Sequence, residues 1–136
     1  MTTRSATQRQ AEARDAHLIR VAECPTHRLL ERVGEKWTAL VLKELADRPR
    51  RYGDLARTIA GASPKMLTQT LRRLERDGLL SRTVTPAVPV RVEYALTPLG
   101  QSLMPVLHAL SGWAERNIGH VEAARETYDV AQRSSS

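Results

Sequence analysis

Between positions 65 and 76 the chain carries Lys65, Thr68, Gln69, Arg72, Arg73 and Arg76, six hydrogen-bond donors of which four are cationic. Leu67, Leu71 and Leu74 are interleaved with them. At about 100° per residue the three leucines fall within about 60° of one another, and the donors occupy the opposite arc. A helix built this way has a dry aliphatic side and a wet side suited to a polyanion. Arg and Gln can take base edges in paired hydrogen bonds, while Lys and Arg grip phosphates. The first turn of such a helix usually points at bases. Ser63, Lys65, Met66, Thr68 and Gln69 are therefore candidates at the base-reading end, and Arg72 and Arg73 are candidate phosphate contacts. The plain alternative is a solvated amphipathic helix that binds nothing.

Cys24 is the other residue with chemistry of its own. It precedes Pro25, where a helix can begin, and a helix N-terminus stabilises a thiolate. His27 and Arg28 lie close in sequence. As the only cysteine, Cys24 cannot form an intrachain disulfide; oxidation would give a disulfide between two chains or a mixed disulfide with a small thiol. The plain alternative is a small buried apolar residue, and the sequence alone leaves both open. The four histidines, His17, His27, His108 and His120, have no metal-ligand spacing, and no CxxC occurs. No Gly-rich phosphate loop and no GxSxG is present, and Cys24 with His27 lacks a third catalytic partner. Neither enzymatic activity nor a metal or cofactor is expected.

These side chains need elements to place them. Ser63-Pro64 is the clearest helix start: the hydroxyl can accept a free N–H, and proline is tolerated at the first helical position. The helix should run to Asp77, with Gly78 just past its end. A short helix around Leu55 and Ile59 precedes it, joined by a turn at Gly61-Ala62. Leu80–Thr85 and Val90–Leu96 read as two strands of a hairpin, with Pro86 and Pro89 at the turn. Arg82 and Arg91 lie on that hairpin. Arg50, Arg51 and Tyr52 stand before the short helix, where they can hold phosphates. Further upstream, helices are expected over about 15–22, 26–33 and 36–45. Thr97-Pro98 repeats the Ser-Pro device and opens a long helix. On it Leu99, Leu103, Val106, Leu107, Leu110, Trp113 and Ala114 follow the 3.6-residue period. The order is helix, turn, helix, hairpin, long helix. It predicts a mainly α winged helix-turn-helix with a small β-hairpin wing, dimerising through its terminal helices. Leu103, Leu107, Leu110 and Trp113 are the candidate dimer contacts. The expected division is a flexible arm over 1–14, the domain with its dimerisation helices over 15–120, and a tail over 121–136.

Composition agrees with a nucleic-acid partner. The 136 residues have a net charge of +6. Residues 43–76 hold nine Lys or Arg against four acids, whereas residues 101–136 hold three Arg against four acids. The positive charge is thus concentrated on the motif, leaving the end of the chain free for another job. With no Phe and 4% aromatics, the core must be aliphatic. No apolar run is long enough for a membrane span, and no signal peptide is visible, so a cytoplasmic protein is expected.

Several of these segments together resemble the HxlR-type family of bacterial winged helix-turn-helix regulators, within the MarR-like group. They are Cys24-Pro25, Gly34-Glu35-Lys36-Trp37 with the aliphatic stretch to Leu45, and RRYGDL from Arg50 to Leu55. SPKMLTQTLRRLERDGL from Ser63 to Leu79 and VPVRVEYALTPLG from Val88 to Gly100 complete the likeness, which covers about residues 24–118. Glu35 and Val90 depart from the usual pattern, standing where a second glycine and a second proline are common. The resemblance implies a homodimeric transcriptional repressor or activator that binds double-stranded DNA at an inverted repeat. It also implies a sensor cysteine for small electrophiles or oxidants at the position of Cys24. Two rivals are a MarR-type ligand-responsive regulator and a winged-helix protein-interaction module that does not bind DNA. Cys24-Pro25 and RVEY argue against the first, and the basic 63–76 face argues against the second.

Overall fold

The computed structural model describes residues 5–135, except for the side chains of 17–19, 21 and 22. Residues 1–4 of the expected arm and Ser136 of the expected tail lie outside the described residues. The chain divides into two compact units, one ending at Ala39 and the other beginning at Leu40.

In the first unit, α1 (Ala6–Glu23) and α2 (Pro25–Val33) follow one another. α1 takes in residues 6–14, which their polarity had assigned to an arm. The local cause is a capping box: the Gln8 N–H donates to Ser5 Oγ, and the Ser5 N–H donates to Gln8 Oε1, 3.1 and 3.0 Å. Proline at the first position opens α2, with Cys24 as its N-cap residue. α2 buries none of its side chains, and Leu29 and Leu30 are exposed.

α3 (Thr38–Glu44) is shorter than the periodicity predicts, because Glu35–Trp37 form a turn. Its buried residues include Val41 and Leu42, whereas Leu40 is exposed. Glu44 faces Arg50 at 3.8 Å.

The second unit carries the winged helix-turn-helix. β1 (Arg50–Arg51) leads into α4 (Tyr52–Thr58); α5 (Pro64–Arg76), β2 (Leu80–Thr85), β3 (Arg91–Leu96) and α6 (Pro98–Ser134) follow. Gly61 makes the turn between α4 and α5 at φ 93°, and Gly78 closes α5 at φ 76°. Both values lie in the left-handed region that glycine enters without steric cost. Leu55 and Ile59 of the first motif helix and Leu67, Leu71 and Leu74 of the second are buried together with Leu45, Leu79, Leu80, Met104 and Leu107. The core is aliphatic, as the composition requires.

The wing is a three-stranded antiparallel sheet in the order β1-β3-β2, where the sequence had suggested two strands. β1 has only two residues inside a turn-rich stretch, too short for any alternation to register. It pairs Arg50 with Tyr94 and Arg51 with Glu93; across the hairpin Leu80 pairs with Leu96 and Arg82 with Tyr94.

A tight joint links the motif to α6. Thr97 Oγ1 accepts from the Gly100 N–H at 3.1 Å and donates to the Gly78 carbonyl at 2.6 Å. The Thr97 N–H donates to the Leu79 carbonyl at 3.1 Å. α6 then continues for 37 residues, about 55 Å at 1.5 Å per residue, and takes in residues 121–134 of the expected tail. Among the described residues no helix is long and apolar enough to cross a membrane.

Candidate nucleic-acid interface

α5 is built to hold one side fixed and present the other. Ser63 caps it, its Oγ accepting from the Met66 N–H at 3.1 Å. Capping residues of this type stabilise a helix by about 1 kcal/mol. Thr70 is buried and returns its hydroxyl to the Met66 carbonyl at 2.9 Å. Leu67, Leu71 and Leu74 lock the inner face, leaving Lys65, Met66, Arg72, Arg73 and Arg76 exposed and Thr68 and Gln69 half-buried. The six donors therefore share the outer surface of one rigid helix, in the arrangement the spacing predicts.

The three residues at the entry to α4 divide. Tyr52 is half-buried, and its hydroxyl donates to the Pro64 carbonyl at 3.3 Å. It ties the start of α4 to the start of α5, a positioning contact between residues twelve apart that no local pattern announces. Arg50 is only 20% exposed and lies 3.8 Å from Glu44. Its guanidinium is thus partly engaged inside the chain. Arg51, by contrast, is exposed. It lines a cleft of about 500 Å³ with Tyr52, Gly53 and the wing residues Pro89–Val92. The fold thus brings Arg51, Tyr52 and Arg91 together from separate parts of the sequence.

A second cleft, of about 320 Å³, lies between α5 and the wing and is lined by Thr68, Arg72, Glu75, Arg82 and Tyr94. Arg82 and Tyr94 join the candidate site here, although neither stood out as a partner of α5 in the sequence. The signal was parity: in a strand, alternate residues share a face, so Arg82 lies on the same side as the buried Leu80.

Elsewhere, Leu107 is 4% exposed and belongs to the internal core of its own chain; Leu103 is half-buried. Leu110 and Trp113 remain on the surface of α6 at 59% and 52% exposure, accompanied by Val106 and Ile118. Cys24 is exposed and free. The backbone N–H of His27, and after it that of Thr26, hold its thiol below the ordinary value, as expected at a helix start. His27 faces Glu31 at 3.1 Å. Among the described residues no cluster of His, Cys, Asp or Glu could hold a metal ion.

Comparison with known proteins places this geometry among regulators. The profile of the HxlR-like helix-turn-helix family matches residues 32–122. The HTH-type transcriptional regulator YtfH of Escherichia coli is 43% identical over 104 residues, covering 76% of this chain and 82% of that protein. Among solved structures, the redox regulator HypR in its reduced form superposes with a TM-score of 0.70 at 33% identity, covering 74% of this chain and 99% of that one. The reduced form of the transcriptional regulator YodB from B. subtilis gives 0.63 at 34% identity, covering 69% and 93%.

Proposed function

The chain belongs to the HxlR-like helix-turn-helix family of transcriptional regulators, and we propose that it binds an inverted-repeat operator as a homodimer. The observation that carries this reading is the outer face of α5, an unbroken arc of donors on a helix locked by a leucine stripe, a serine cap and the Tyr52 contact. Ser63, Lys65, Met66, Thr68 and Gln69 lie toward the base edges. Arg72 and Arg73 grip the backbone, and Arg51 and Arg91 extend the contact toward the wing tip. The exposed apolar side chains of α6 supply the dimer contact. Leu29 and Leu30 of α2 present further unpartnered apolar surface in the N-terminal unit.

Binding should weaken steeply with salt, with a log–log slope of about 0.9 for each phosphate neutralised. Gln69→Ala is expected to flatten discrimination between operator and mismatched sites by about 1–3 kcal/mol, the worth of one bidentate base contact. Arg72→Ala should weaken all sequences alike and reduce the salt slope by about one unit. Gel-shift titrations over a range of salt measure both. An Arg72→Ala variant that changes sequence preference while keeping the wild-type slope would contradict this division of labour.

A response to oxidants or electrophiles through Cys24 is the second part of the proposal. It rests on the exposure of the thiol, its lowered pKa, and the likeness to redox regulators. Diamide takes two protons and two electrons from a pair of Cys24 thiols, leaving a disulfide between two chains. Such a link would change the fit of the two α5 helices to their half-sites. Diamide is expected to shift operator affinity of the wild type by about tenfold, equivalent to ~1.4 kcal/mol, and to leave Cys24→Ser unchanged. The alkylation rate of Cys24 should rise with pH through an inflection below the ~8.5 of a free thiol. Equal responses in wild type and Cys24→Ser would remove Cys24 from the mechanism.

A further inference from the structure

The wing face that begins at the buried Leu80 continues into polar side chains, two of them arginines. Leu80 and Leu96 form its first cross-strand pair, and the next pair on the same face is Arg82 with Tyr94. Tyr94 is also paired with Arg50 of β1, so the row reads Arg50, Tyr94, Arg82 across the sheet. Arg50 has an internal carboxylate, Glu44. Arg82 has none: among the described residues neither Arg82 nor Arg72 makes an ion pair. Both line the cleft between α5 and the wing, with Glu75 as its single carboxylate. Two guanidiniums against one carboxylate leave the cleft with a net positive charge, and the Tyr94 side chain and Thr68 hydroxyl add polar groups to its walls.

We propose that this cleft is a binding site for one backbone phosphate of the operator, held jointly by Arg72 of α5 and Arg82 of the wing with Tyr94 beside them. The inference rests on the reading of the chain as a DNA-binding regulator and adds residues that α5 alone does not supply. Arg82 then acts at the root of the wing, on the recognition-helix side, and not at the tip where Arg91 lies. A phosphate in this position bridges the helix and the wing, so one contact fixes the angle between the two elements on the duplex. Charge-assisted guanidinium–phosphate bonds are among the stronger hydrogen bonds available, and two arginines outweigh the repulsion of one carboxylate.

The test is phosphate-ethylation interference on an operator duplex with the full-length chain. Wild type should show one position in each half-site that becomes silent in Arg82→Ala, while the other interfering positions persist. Affinity should fall by about tenfold on all sequences. Arg82→Lys should keep the position, because a phosphate accepts an ammonium as a point charge. The double variant Arg72→Ala/Arg82→Ala should lose the same single position and no second one. If Arg82→Ala keeps the complete interference pattern and wild-type affinity while melting at a lower temperature, Arg82 is an internal partner of Glu75 and the proposal is overturned. Loss of two separate positions in the double variant also overturns it, because the arginines then hold different phosphates. Absence of DNA binding by the wild type itself would instead remove the functional reading on which the site depends.

Discussion

Gly100→Ala is expected to destabilise the fold by about 3 kcal/mol or more, at the upper end of what forcing extra atoms into a packed interior costs. A Cβ at that position would stand 2.1 Å from the Leu79 carbonyl oxygen, 3.1 Å from its carbon and 3.3 Å from Leu96 Cδ2. The oxygen cannot easily retreat, since it accepts the Thr97 N–H. Thr97 in turn is held by Gly78 and Gly100, so the clash would spread to the end of α5. A thermal melt should show the midpoint reduced by roughly 10 °C or more. Gly119→Ala is the internal control: a Cβ there meets nothing within 4 Å, and on a helix it should stabilise by about 0.5–1 kcal/mol. A Gly100→Ala protein that melts with the wild type would mean that α6 does not dock on the α5–β2 junction in this way.

Trp113→Asp is expected to convert a dimer to a monomer and to lower operator affinity by at least about a hundredfold. Trp113 is half exposed and Leu110 more so, on a helix that also exposes Val106 and Ile118. Such a strip on a small protein marks a contact surface, and an aspartate placed in it would have to lose its hydration on pairing. Because Trp113 is not part of the internal core, the monomer should stay folded, with unchanged helical signal. Sedimentation at micromolar concentration should give twice 15.2 kDa for wild type and 15.2 kDa for the variant. The loss of affinity follows from linkage: two half-sites held by one dimer gain about 10²–10⁴ over either alone. A wild type that sediments as a monomer at that concentration would refute the dimer.

Local signals carried most of the architecture. Ser63-Pro64 and Thr97-Pro98 each mark a capped helix start, and both caps form as their residue types imply. The leucine stripe of α5 and its donor face follow from spacing alone, because both sides of a helix are written within one turn of each other. The same holds for Gly61 and Gly78, whose positive φ values close the turn and the helix.

The parts that were harder to read depend on distant partners. β1 exists only because β3 passes beside it, and two arginines in a turn-rich segment give no strand pattern of their own. Arg50 belongs to Glu44 for the same reason, since the pair forms across the bend between α3 and β1. Leu107 and Leu110 are equally good members of the α6 stripe, and only packing against the motif buries one and leaves the other outside. The start of α1 was legible in Ser5 and Gln8, three residues apart, but the polarity of the segment masked the capping box. Arg82 was visible as a wing residue. Its approach to Arg72 required the strand's alternation to be followed outward from Leu80.

Selection of bound duplexes from a random pool, using the reduced wild-type chain at moderate salt, asks whether the chain reads DNA as a dimer. The expected result is enrichment of a sequence made of two inverted half-sites, their centres one helical turn of about 10–10.5 bp apart or a multiple of it. Gln69→Ala should relax specific positions within each half-site while leaving the spacing intact. Recovery of no preferred sequence, or of single half-sites without an inverted partner, would contradict a dimer that reads its operator through two copies of α5.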